Sequence, residues 1–332
     1  MFSSLHQDLL TTILSYSIPD IYCTIDPTHI LSWDISNHPH AVSYLLATQN
    51  HIDYGLFSRN PSDEAVDYLL QNPWYIYYSQ FSRNPNEKAV DFMITHPDRI
   101  CIWNMSFNTN PRAIHYLITY MKQHPSVLYI SEKNVLSKLA CEESIRYLIQ
   151  FPDDINYSKF CSNPHDLAVQ FLLANPSKIL WTECNKNTND TMVSYLIEHP
   201  MYVMNTFSSN SNSKAVEYLI QHPEQIDWTY LSSNTNNKAV EYLLQHIDRI
   251  QWSVFTLNPN DSAVEYMIEH EHRIDLSVVI CHTHKKMLEY IIAHRHQIPQ
   301  FRWKEISNHP FLFTKEYNRS KIQDWIYKAF TY

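Results

Sequence analysis

The side chains best equipped for chemistry in this chain are histidines. There are 19 among 332 residues, and four crowd into two His-x-His pairs, His282/His284 and His294/His296. Imidazoles at that spacing can bind a transition metal or relay protons. A hydrolase or metal enzyme built on these four is therefore one reading of the chain. Most other histidines tell a different story. His96, His124, His199 and His222 each stand directly before a proline. Zinc needs its ligands about 2 Å from one ion, whereas stacked helices keep such copies roughly 10 Å apart. Repetition argues against a unique active site, so the expectation is no catalytic residue, no metal and no cofactor.

Two further sets recur. An acid lies two positions after an alanine, or its equivalent, at Asp67, Asp91, Glu217, Glu241, Glu265 and Glu289. Stacked copies would align these into a column, which is either a solvated face or a docking strip for a basic partner. Lys88, Lys214 and Lys238 stand three residues before Asp91, Glu217 and Glu241, a helical neighbour distance. An asparagine recurs at Asn60, Asn84, Asn108, Asn163, Asn187, Asn210, Asn234 and Asn258. Its expected role is to cap its own helix, with backbone of the preceding turn as a further partner.

The elements that must position these residues are repeats. The stretch from Asn210 reads Asn-Ser-Asn-Ser-Lys-Ala-Val-Glu-Tyr-Leu-Ile-Gln-His-Pro, and the same pattern restarts at Asn234. Ala215, Ala239 and Ala263 are spaced by 24 residues, and a fixed period of this size means stacked supersecondary units. The Ala-Val step can be followed from Ala41 to Met287 in eleven copies, with an insertion near residues 121–138. Each copy predicts a helix, a break at His-Pro, then a shorter helix carrying Ile-x-Trp-x-x-Leu. Pro61, Pro85, Pro164 and Pro259 are expected at the first helical position, and Asp63, Glu87, Asp166, Asp190 and Asp261 in the first turn. A helix of about 11 residues is marginal alone, so burial between copies must hold the fold. The prediction is an all-α solenoid, curved and grooved, spanning residues 37–298. Cap helices are expected at 1–36 and at 299–332, the latter closing on Ile322, Trp325, Ile326 and Phe330.

Composition narrows function further. One glycine, Gly55, cannot build a Gly-rich phosphate loop. A net charge of −9 with no basic cluster disfavours nucleic acid as a partner. No apolar run reaches the length of a membrane span, and the N-terminus does not read as a secretory signal. Six scattered cysteines without a Cys-x-x-Cys read as reduced, buried thiols.

The repeat resembles the short helical units, marked by asparagine and proline, of proteins encoded by giant DNA viruses. Their pattern is similar to Asn-Pro-x-x-x-Ala-Val/Ile-x-Tyr/Leu-Leu followed by His/Asn-Pro-x-x-Ile-x-Trp-x-x-Leu-Ser. That resemblance implies an interaction scaffold with a protein partner, in the cytoplasm of an infected host cell or in the virus particle as a structural component. It implies no catalytic residue. Residues 1–33 resemble the start of an F-box through Leu5, Leu9, Leu10, Ile13, Leu14, Pro19, Asp20, Ile21 and Trp33. His6 stands where a proline is usual, and Pro27 interrupts the third helix. On that resemblance Leu5, Leu9, Leu10, Ile13, Leu14 and Pro19 would bind a ubiquitin-ligase adaptor while the repeats hold the target. The other reading of this segment is a plain cap helix covering the first repeat.

Overall fold

The computed structural model describes residues 20–23, 35–48, 52–124, 130–298, 305, 309, 311 and 313–316. Two compact units are formed. One comprises residues 1–75 with 299–332, the other residues 76–298.

The larger unit is all-α and built of repeats. Its long helices include Glu87–Thr95, Asp166–Ala174, Asp190–Glu198, Ser213–Gln221, Asn237–Leu244, Asp261–Glu269 and Lys285–Ala293. Each presents one apolar stripe: Ala239, Val240 and Leu243 are buried in one, and Ala263, Val264 and Met267 in another. From Asp166–Ala174 onward, each of these helices packs on the next in the series. The stripe of one is therefore covered by its neighbours. Large side chains buried this way contribute about 1.5–3 kcal/mol each, which no copy of 24 residues could gather alone.

The break between helices is itself ordered. His96, His199 and His222 lead into a single 3₁₀ turn over Pro97–Arg99, Pro200–Tyr202 and Pro223–Gln225. The short helix that follows is about one turn long, as in Trp228–Ser232 and Trp252–Phe255. Its last apolar residue, Leu231 or Phe255, is buried. Its tryptophan stays half-buried and lies parallel to the tyrosine of the long helix, with ring centroids 6.2 Å apart in Trp228–Tyr242. Arg99, Arg249 and Arg273 cover Tyr78, Trp228 and Trp252 from outside. The expected insertion contains the helix Ile130–Lys138, and the period resumes with Glu142–Gln150.

The smaller unit holds the helices Val42–Thr48, Tyr54–Phe57 and Asp63–Gln71. It also holds two short strands, β1 (Asp20–Cys23) and β2 (Phe313–Glu316), paired antiparallel with Asp20 opposite Glu316. A helical cap was expected at both places. The described part of the C-terminal segment instead pairs with the N-terminal one, because an extended β1 leaves backbone donors and acceptors that only another strand satisfies in full. The carbonyl of His309 lies 3.2 Å from Nε2 of His38 in the same unit. The closing-helix residues Ile322, Trp325, Ile326 and Phe330, and the F-box-like Leu5, Leu9, Leu10, Ile13, Leu14, Pro19 and Trp33, lie outside the described residues.

Candidate functional site

The recurring asparagine does not cap its helix. Asn234 is fully buried. Its Nδ2 donates to the carbonyls of Ser208 and Asn210 in the preceding copy, at 3.0 and 2.9 Å. Its Oδ1 accepts from the backbone N–H of Asn236 at 2.9 Å. Asn108, Asn163, Asn187, Asn210 and Asn258 make the same three bonds, and Asn60 repeats them in the smaller unit. Each is a staple between neighbours. The N-cap falls two residues later, at Ser62, Asn86, Asn110, Asn189, Asn212, Asn236 and Asn260. Pro61, Pro85, Pro164 and Pro259 therefore precede the cap rather than open the helix. Asp63, Glu87, Asp166, Asp190 and Asp261 do sit in first turns, where the helix dipole favours them.

A second staple escaped the sequence reading. Ser82, Ser208 and Ser232, each two residues before a ladder asparagine, accept the N–H of Cys101, Asp227 and Gln251 nineteen residues on. Asn185 and Cys161 fill the same slot. The signal was present as a small hydrogen-bonding residue at a fixed offset in copy after copy. The cysteines are not all buried: Cys161 and Cys184 are, whereas Cys101 and Cys141 are partly exposed and Cys281 is exposed. Cys161 and Cys184 hydrogen-bond to each other, and that bond with burial pushes the Cys184 thiol far above its ordinary range.

The pre-proline histidines finish helices. Nδ1 of His96 and His199 lies 2.8 Å from the carbonyl four residues earlier. Each ring also stacks on the aromatic ring at that position, 4.2 and 4.1 Å between centroids. A carbonyl only accepts, so Nδ1 carries the proton. The clustered histidines are likewise engaged one by one. His282 is buried against Asn258, His284 caps Lys285–Ala293, and His294 bonds Tyr290. Among the described residues no group of three His, Cys, Asp or Glu side chains is placed to hold a metal ion. No helix among them is long and apolar enough to cross a membrane.

The acidic side chains do face solvent. Asp91, Glu217, Glu241, Glu265 and Glu289 are exposed and Asp67 is half-buried. The expected pairing with a lysine of the same copy does not form in Lys214 or Lys238. Lys238 reaches back to Glu217 of the preceding copy at 2.5 Å, Lys286 to Glu265, Arg112 to Asp91, and Lys214 to Asp190 at 3.1 Å. A basic residue at the helix start points toward the neighbour already stacked beside it, which the i,i+3 argument ignores. These contacts raise the Lys238 and Lys286 ammonium pKa values, and bonds from Asn212 and then Lys214 lower that of Asp190. Glu241 and Glu289 make no ion pair among the described residues.

A further concavity of about 540 Å³ lies where the period is interrupted. It is lined by Met121, Lys122, Tyr147, Phe151, Asp153 and Asp154, among others. Burial, then the Asp154 carboxylate, pushes the Tyr147 phenol up to about 12. Comparison with protein families, curated proteins and solved structures finds nothing that matches this chain.

Proposed function

We propose that the chain is a non-catalytic scaffold that binds a protein partner along the exposed faces of its long helices. One observation supports this above others. Buried slots carry the same kind of residue in copy after copy, while the outward slot two residues after the alanine changes. It reads Ser43, Asp67, Asp91, His115, Arg146, Gln170, Ser194, Glu217, Glu241, Glu265, Glu289 along the chain. A constant frame with a varied surface suits recognition, because the frame fixes spacing and the outward residues supply the address.

The run of glutamates from Glu217 to Glu289 is the most acidic stretch of that slot. Two of the four are held by neighbouring lysines, and Glu241 and Glu289 are left to attract a basic surface. On the resemblance to giant-virus repeat proteins, this activity would belong to the cytoplasm of an infected host cell or to the virus particle. The test is capture of partners from infected-cell lysate by the full chain and by a variant carrying E217Q, E241Q, E265Q and E289Q. The variant should keep its melting temperature and lose the partner. Undiminished capture would remove the strip from the binding surface.

A narrower form of this reading makes the chain a ubiquitin-ligase substrate receptor, on the F-box-like pattern of Leu5, Leu9, Leu10, Ile13, Leu14 and Pro19. Co-purification of the adaptor with the full chain, lost on removing residues 1–33, supports it. A folded full chain that never retains the adaptor rules it out.

A further inference from the structure

Within the larger unit the ladder slot carries a titratable ring at one junction; in the smaller unit His38 stands the same way, its Nδ1 accepting from His40 N–H and its Nε2 lying 3.2 Å from the His309 carbonyl. Between Asn108 and Asn258 every described ladder-slot side chain that bonds the preceding copy is an asparagine, whose amide does not titrate. Where the next copy begins, the rung is His282, 2 % exposed. Its Nδ1 accepts the backbone N–H of His284 at 3.1 Å, and its Nε2 lies 3.2 Å from the carbonyl of Asn258. An N–H only donates and a carbonyl only accepts, so the ring is held as the neutral Nε2–H tautomer. It makes one bond to the preceding copy where asparagine makes two. The cap changes in the same way. Asn260 and its counterparts give way to His284, whose Nδ1 accepts from Lys286 N–H at 3.2 Å and whose Nε2 meets the Asp261 carboxylate at 2.7 Å.

The charges around this pair are unequal. Asp261, on the preceding long helix, touches His284. Lys286 is engaged by Glu265, and Lys285 and Glu289 are exposed on the helix that follows. The titratable group facing His282 is the His284 ring, 6.3 Å away, and among the described residues no carboxylate forms an ion pair with His282 that would hold a charge there.

We propose that this junction is a pH-operated latch: a proton taken up at Nδ1 of His282 releases the helix Lys285–Ala293 from the helix Asp261–Glu269, while the amide-built junctions stay shut. Binding the proton turns the acceptor into a donor facing the donor of His284 N–H, at a side chain that is buried from solvent. Release bares Met287, Leu288 and Ile291, now buried, as a new apolar surface. Burial, with the neighbouring imidazole, holds His282 below its ordinary pKa of 6.5. The opened state therefore binds more protons than the closed one as pH falls below 6.5. The latch contributes fully above that value and weakens beneath it.

Hydrogen exchange of the full chain between pH 7.5 and pH 5 tests this, read as protection factors so that intrinsic rates cancel. Protection of residues 285–293 should fall by up to about tenfold per pH unit below about 6.5, while residues 237–244 keep theirs. His282→Asn should abolish the fall, whereas His284→Asn should leave it. Unchanged protection of 285–293, simultaneous loss at 237–244, or a fall that survives in His282→Asn would each overturn the latch. Should His282→Asn fail to fold, the wild-type profiles of the two helices decide alone.

Discussion

Asparagine and histidine occupy this chain's repeating slots for a shared reason: each side chain offers a donor and an acceptor on opposite edges. Asn72 and Asn175 donate from Nδ2 to the carbonyl four residues back, as His246 does from Nδ1 at 2.8 Å. The two residue types are therefore exchangeable at the helix end, apart from the ring contacts that His246 makes with Tyr242 and Trp228. His246→Asn should leave the urea midpoint nearly unchanged, and His246→Ala should cost about 1 kcal/mol. A drop as large for asparagine as for alanine would mean that stacking, not the bond, is what counts. The recurrence of these residues was legible in the sequence; their division of labour was not. Asn234 and Asn236 have identical chemistry two positions apart and both reach the preceding copy; Asn234 does so fully buried, while Asn236 also caps the helix from a half-exposed position.

At the scale of elements, period and helix type could be read because apolar spacing sets both. Ala239, Val240 and Leu243 fall on one stripe in the sequence and are buried together in the structure. Contacts between copies could not be read, since intrarepeat spacing says nothing about what lies alongside. The lysines show it: Lys238 satisfies Glu217 rather than Glu241. Both members of that pair are more than half exposed, so Lys238→Met should leave the urea midpoint nearly unchanged. A marked drop would show that the charged face holds the stack together. The helices themselves are only eight or nine residues long in most copies, below what survives alone in water. A peptide of residues 210–233 should show no helical circular dichroism. Appreciable helicity in it would transfer the fold's stability from packing between copies to local propensity.

Across the whole molecule, the sequence marked residues 1–36 and 299–332 as outside the repeat but gave no sign that they meet. Strand pairing across almost three hundred residues leaves no periodic trace, and β1 and β2 are four residues each. Deleting residues 299–332 should lower hydrogen-exchange protection in Val42–Thr48 and leave Asn237–Leu244 unaffected, because stability in repeat-built proteins is transmitted mainly between neighbours. Equal protection in both helices after the deletion would show that the C-terminal segment contributes nothing to the unit it joins. The candidate binding strip was legible as a column of acids. Its partial neutralisation was not, because the pairing crosses from one copy to the next.

The claim beneath all of this is that copies are stapled to each other through buried side chains, and one comparison tests it. Asn234 bonds three backbone groups at a fully buried site, whereas Asn236 caps its helix and reaches the Ser211 carbonyl of the preceding copy from a half-exposed position, where water can replace a lost bond. In urea denaturation of the full chain, Asn234→Ala should cost about 3 kcal/mol, at roughly 1 kcal/mol for each bond lost, and Asn236→Ala about 1 kcal/mol. If Asn234→Ala proves no more damaging than Asn236→Ala, the staples do not hold the copies together and the account fails.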